Sequence, residues 1–171
     1  MSTALCYIPP KFNTLWDNYP TPAEFTHDQL YDELGWEDLK KNPNYTNTCA
    51  TRMSLCLIRS NIDQLGGRLE IKKGKYKSKW IEPGQKRLSD NLAEMFGSPE
   101  KFKLADRDKV LSNKKGIVSF MSIPGYIIDG ALSGHIDLVK HGTFLYFFDT
   151  GLQCAEQCYW DSKEFWFWSL D

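Results

Sequence analysis

Asn44–Arg59, NYTNTCATRMSLCLIR, is the stretch whose reading decides the fold. Asn44, Thr46, Asn47 and Thr48 can all cap the orphan backbone N–H groups of a helix start. After Cys49, the residues Ala50, Met53 and Leu57 recur at helical spacing, and Leu55, Cys56 and Ile58 widen the apolar surface. The pattern predicts a mostly buried helix with Cys49 in its first turn. A thiol in a helix's first turn faces the positive end of the dipole and unpaired N–H donors, both of which favour a thiolate. The ordinary reading stands beside this one: a cysteine is a small, often buried side chain that packs or caps without reacting.

Working outward, the next informative stretch is Ser133–Val139, SGHIDLV. In a strand His135, Asp137 and Val139 share one face, and Ile136 and Leu138 share the other. If the Ile/Leu face meets the core, His135 turns toward a cleft or toward solvent. A cysteine at a helix start and a histidine on the sheet beneath it form the two-part engine of papain-like enzymes. Their ion pair supplies the thiolate, and the imidazolium later protonates the leaving amine. One Cys and one His are a weak signal by themselves. His27, in the helical N-terminal part, and His141, in a turn, read as solvent-exposed.

The remaining pattern sets helices before sheet. Phe12, Leu15, Trp16 and Tyr19 predict a short helix over 11–19. Further short helices follow through Leu39, broken at Gly35 and near Pro43. Arg68–Trp80 reads as extended, with Lys73, Lys75, Lys77 and Lys79 on one face, either a solvated strand face or a rim for an anionic polymer. Leu88, Leu92, Met95 and Phe96 form a helical stripe that Gly97 stops. Strands are predicted at Gly116–Ser122, His135–Val139, Phe144–Phe148 and Phe165–Trp168, with a loop over Gly125–Gly134 and a hairpin connection at 140–143. Helices followed by an antiparallel sheet make an α+β fold.

At 171 residues, 25% charged and 42% apolar, the chain suits one globular domain spanning 1–171. A net charge of −1 offers nothing to nucleic acid. No apolar run reaches the length of a membrane span, so no membrane insertion is expected. The opening MSTALCYIPPKF has neither a basic region nor an apolar core of the kind a secretory signal needs. Five cysteines leave at least one unpaired in a monomer. Cys154 and Cys158 stand close together, and a disulfide between them would suit an oxidising compartment. A zinc site using Cys154, Cys158, His135 and His141 lacks the second closely spaced cysteine pair, so no metal and no cofactor is expected.

Four segments in order, TNTCATRMS around Cys49, KKGIVSF at Lys114–Phe120, SGHIDLV around His135 and CAEQC at Cys154–Cys158, resemble the type VI secretion amidase effector family, its fourth class. The resemblance runs from Asn47 to the C-terminus. It implies a papain-like NlpC/P60-type cysteine peptidase fold, N-terminal helices packed on an antiparallel sheet, in a toxin that cuts peptidoglycan stem peptides at the γ-D-glutamyl–diaminopimelate amide. Cys49 corresponds to the nucleophile and His135 to the general base. Glu156 stands where the family carries its acid, an Asp, inside the cysteine-bracketed loop. Asp149, at the end of the segment following the His strand, is the rival. The resemblance also implies a Cys154–Cys158 disulfide that fixes this loop, worth about 2 kcal/mol on chain entropy. It implies delivery into a target cell's periplasm without a signal peptide, and a cognate immunity protein that blocks the active site. Two other readings remain: a thiol–disulfide redox protein using Cys154 and Cys158, and a non-enzymatic cell-wall-binding module using the lysine row and the aromatic C-terminus.

Overall fold

A computed structural model describes residues 7–63, 66–144 and 157–171. The C-terminal strand β9 (Glu164–Ser169) carries Phe165 and Phe167 on one face and Trp166 and Trp168 on the other, all buried. Such a doubly apolar run fits only a strand inside a sheet that is covered on both sides. It lies between β3 (Glu100–Phe102) and β4 (Lys115–Met121), in a five-stranded antiparallel sheet completed by β7 (His135–Lys140) and β8 (Thr143–Phe144). The strand order is β3-β9-β4-β7-β8. The β4–β7 register pairs Phe120 with His135 and Ser119 with Ile136.

Helices cover one face. These are α1 (Phe12–Asn18), α3 (Cys49–Arg59) and α4 (Gln85–Phe96), whose Leu15, Met53, Leu57, Leu88 and Leu92 pack on Ile117, Ile136, Leu138, Trp166 and Trp168. The other face carries Val118, Phe120, Phe165 and Phe167, closed over by Val110 and Leu111 of α5 (Arg107–Leu111) and by Tyr159 and Trp160 of α6 (Gln157–Trp160). A third cluster joins α2 (His27–Leu34) to the back of α3 through Leu30, Leu34, Trp36, Leu55 and Ile58. Helix α3 is thus enclosed on all sides, and every residue from Cys49 to Ile58 is buried. No helix of the described residues is long and apolar enough to cross a membrane.

Two expected elements differ. The lysine-bearing stretch is not a strand: β1 (Leu69–Glu70) and β2 (Trp80–Ile81) pair as a short ladder, and the chain between them turns back through Gly74 and Ser78, both at positive φ. Lys73 pairs with Glu37 and Lys79 with Asp63 instead of forming one row. Residues 125–134 are not plain loop either, since β5 (Ile127–Ile128) and β6 (Ala131–Leu132) make a small hairpin through Asp129 and Gly130. Of the segment expected as a strand at 144–148, only Phe144 lies within the described residues, as the end of β8.

An arginine inside the core fixes α3 to the N-terminal segment. Arg52 is 0% exposed, and it donates from Nε to Thr48 Oγ1 (2.9 Å), from Nη1 to the Pro20 carbonyl (2.8 Å) and from Nη2 to the Phe25 carbonyl (2.7 Å). Removing the guanidinium leaves buried carbonyls without donors. Arg52→Met is expected to cost about 3 kcal/mol, lowering Tm by about 6–12 °C for a chain of this size. Thermal unfolding followed by circular dichroism checks this, and an unchanged Tm would mean the arginine does not hold the segment.

Candidate active site

Cys49 is the first residue of α3. Thr48 occupies the N-cap, but its Oγ1 accepts from the Arg52 side chain and caps no backbone N–H, and the orphan donor of Cys49 is met from one residue further back. Asn47 Oδ1 accepts from the Cys49 N–H at 3.0 Å, while Asn47 Nδ2 donates to the Gly134 carbonyl at 3.3 Å. One buried carboxamide therefore ties the start of the cysteine helix to the residue immediately before His135. Gly134 has to be glycine: a Cβ there would stand 2.1 Å from the Phe120 carbonyl oxygen and 2.4 Å from Gln85 Oε1.

His135 opens β7 and is 0% exposed. The expectation that it faces an open cleft or solvent is corrected here. The second core covers that face, with the Tyr159 ring centroid 4.9 Å and the Phe120 centroid 5.9 Å from the imidazole. The imidazole interacts with both Asp137 and Cys49. Its Nε2 lies 3.4 Å from Asp137 Oδ2, and Asp137 Oδ1 accepts the Leu138 N–H at 2.7 Å. Asp137 is itself fully buried. Burial alone would depress the imidazole's pKa, but the hydrogen bonds and charges of Asp137 and Cys49 outweigh it and lift the value to about 9.

Access comes from the cysteine side. A cleft of about 180 Å³ is lined by Asn44, Tyr45, Asn47, Cys49, Arg68 and Asp129, among others. Cys49 lines this cleft, and the imidazole with which it interacts is fully buried. The arrangement suits nucleophilic attack on a carbonyl entering the cleft, with proton transfer by the buried imidazole.

Glu156, Asp149 and Cys154 lie outside the described residues, as does the side chain of Cys158, and with them the expected acid loop and its disulfide. Asp137 is the carboxylate the sequence reading did not assign a role. The signal was the two-residue period of HIDLV, which puts His135 and Asp137 on one strand face. Cys56, the other buried free cysteine among the described residues, contacts the Leu15 carbonyl, and burial drives its thiol pKa far up. His27, expected in solvent, is half-buried, with Nε2 at 3.0 Å from the Tyr45 carbonyl. His141 is exposed. It follows the last residue of β7, so about 20 Å of extended chain separates it from His135, and the two histidines cannot share a metal ion. Among the described residues no group of three or more His, Cys, Asp or Glu is placed to hold a metal.

Comparison with known proteins supplies the family. The family model described as type VI secretion system (T6SS), amidase effector protein 4 matches residues 45–168. The chain belongs to this family of amidase effectors. Membership makes it an antibacterial toxin of the type VI secretion system, a hydrolase acting on peptidoglycan in the periplasm of a target cell. No curated protein sequence matches the chain. Among solved structures it resembles the effector Tae4 of Salmonella typhimurium in complex with the immunity protein Tai4 of Enterobacter cloacae, with a TM-score of 0.70 at 18% identity over 95% of this chain and 100% of that one. It also resembles Tae4 of Enterobacter cloacae in its Tae4–Tai4 complex, with a TM-score of 0.67 at 18% identity over 96% and 100% of the two chains. At these identities the likeness speaks for the fold, and it covers the whole α+β arrangement described above.

The charge on His135 has a pH signature. Its folded pKa, about 9, lies above the ordinary 6.5. The stabilisation it brings is therefore fully present below pH 6.5 and lost as pH rises through about 9. An NMR titration of the His135 ring is expected to show a midpoint near 9 in the wild type. Lower midpoints are expected in both Cys49→Ala and Asp137→Asn. A midpoint unmoved by either substitution would remove these two groups as its cause.

Proposed function

We propose that the chain is a papain-like cysteine amidase of the NlpC/P60 type, with Cys49 as nucleophile and His135 as general acid and base. It cuts the γ-D-glutamyl–diaminopimelate amide of peptidoglycan stem peptides. The observation that carries this is the placement of Cys49 in the first turn of α3, on the cleft, against a buried imidazole that is backed by a carboxylate.

The Cys49 sulfur attacks the γ-carbonyl carbon, and the oxyanion forms beside the N–H groups of the first helical turn, which have no partners within the helix. Asn47 Oδ1 already accepts the N–H of Cys49, so the oxyanion is received by the N–H groups that follow it in the turn. His135 then gives its proton to the departing amine, leaving a thioester on Cys49. Water, deprotonated by His135, hydrolyses the thioester and releases the glutamyl product with the thiol restored. With Nε2 turned to Asp137, Nδ1 is the nitrogen left for the sulfur. Asp137 holds the ring orientation and stabilises the imidazolium. At 3.4 Å the contact is longer than a typical charge-assisted bond. Glu156 and Asp149 stay in the reading as the alternative carboxylates for this role. A Cys154–Cys158 disulfide would fix that loop, and it forms in the periplasm where the toxin acts. An immunity protein closing the cleft completes the proposal. The Tae4–Tai4 complexes of the structural relatives support it.

Incubation with purified sacculi, followed by chromatography of the muropeptides, tests the assignment. Wild-type protein is expected to release fragments cut between glutamate and diaminopimelate, and folded Cys49→Ala none. Turnover by the folded Cys49→Ala protein would end the cysteine mechanism. For the acid, Asp137→Asn is expected to lower kcat by about 100-fold or more with KM little changed. Should Glu156→Gln or Asp149→Asn be the inactive variant while Asp137→Asn keeps its rate, the orienting carboxylate comes from the loop.

A further inference from the structure

The cleft that holds the chemistry just proposed also carries a built cationic feature that the mechanism does not use. Glu82 is 0% exposed, and it takes Arg68 in a fork, with Nε at 3.0 and 2.9 Å from its two carboxylate oxygens and Nη2 at 2.6 Å from Oε1. The same Oε1 accepts the Gly84 N–H at 2.8 Å. Every side-chain donor that Arg68 uses points at this buried carboxylate. Nη1, with its two N–H groups, has no hydrogen-bond partner among the described residues. The Arg68 side chain is 48% exposed and lines the same cleft as Cys49.

Two further facts show that the position is prepared. Gly84, also on the cleft, is the N-cap of the twelve-residue helix α4 and brings no side-chain cap, so the positive end of α4 opens beside Arg68. A Cβ on Gly84 would stand 2.8 Å from Arg68 Nη2 and 2.9 Å from Glu82 Oε1, so only glycine lets the guanidinium lie there. A buried carboxylate that immobilises an arginine removes most of the entropy cost of using it. What remains is the outer edge of the guanidinium, where one N–H of Nη1 and the second N–H of Nη2 run parallel, a permanently charged pair of the geometry that selects carboxylates. The other charged residue lining the cleft is Asp129, on the β5–β6 hairpin at 3.5 Å from Asn44 Nδ2.

We infer that Arg68, held by Glu82, is the specificity-determining residue of the acyl side of the cleft, and that it binds the free α-carboxylate of the γ-linked glutamate. The inference rests on the amidase reading above. A γ-linkage uses the side-chain carboxyl of glutamate, so its α-carboxylate stays free, a few bonds from the carbonyl that Cys49 attacks. A peptide linked through the α-carboxyl, or one whose α-carboxylate is converted to a carboxamide, presents no such anion. Arg68 would therefore read both the linkage and the charge of the substrate.

The test uses two synthetic stem peptides, identical except that the γ-linked glutamate carries an α-carboxylate in one and an α-carboxamide in the other. The full chain is expected to cleave the carboxylate peptide with a kcat/KM about tenfold or more above the carboxamide, as for a lost charge-assisted hydrogen bond. Arg68→Gln alone would strand the buried Glu82 charge, so the paired variant Arg68→Gln/Glu82→Gln is made. It is expected to bring the ratio of the two substrates to about one, whatever its absolute rate. Arg68→Lys keeps charge without the fork and is expected to retain part of the preference. Equal cleavage of the two peptides by the wild type overturns the inference while leaving the amidase reading intact, and so does a preference that survives in the paired variant. Failure of the wild type to cut either peptide or sacculi sinks the amidase reading itself.

Discussion

The site depends on one constraint: the start of α3 is held against the start of β7. Asn47 makes the link, accepting from Cys49 with one end of its carboxamide and donating to Gly134 with the other. Because β7 pairs with β4 through Phe120↔His135, the backbone at Gly134 and the imidazole share one register. A one-residue slip would exchange the faces of His135 and Ile136 and bring an isoleucine to the sulfur. The register is secured in turn by core on both sides of the sheet. Ile136 and Leu138 pack under the helices, and Val139 and Phe120 pack in the opposite cluster. Distant packing thus sets the one contact on which the proposed chemistry rests.

Full enclosure of α3 gives the pair its electrical character. A charged imidazole with no solvent exposure is costly unless partners compensate it. Here Asp137 and Cys49 do so, and the ring is charged over a wider pH range than a free histidine. The carboxylate is anchored by the Leu138 N–H, so it cannot turn away to be replaced by water. Arg52 and Glu82 follow the same logic in the layer around the site. Each is a buried charge whose hydrogen bonds are directed to fixed partners, and each orders a segment that lines or supports the cleft.

Much of this was legible in the sequence, for identifiable reasons. Helix α3 and the strands β4, β7 and β9 announce themselves because burial imposes a strict period on long apolar runs. Cys49 was legible from its place at a helix start and His135 from alternation. The lysine row misled because a period of two in charged residues carries no burial information, and Gly74 and Ser78 reverse the chain within it. Asp137 shared a face with His135 in the sequence pattern, but its proximity to the ring depends on rotamers, which no pattern encodes. Arg68 and Glu82 were invisible for a different reason. Fourteen residues separate them, and only the β1–β2 ladder brings the exposed member and the buried one together.

The central claim is that Cys49 bonds to the acyl half of the substrate. Rapid acid quench during turnover of a stem peptide, followed by mass spectrometry of the digested protein, addresses it directly. The account predicts a glutamyl thioester, at the mass of the acyl fragment, on the segment containing Cys49 and not on the one containing Cys56. Product release at full rate, with no acyl adduct on Cys49 at any quench time and with Cys49→Ser equally active, would contradict it.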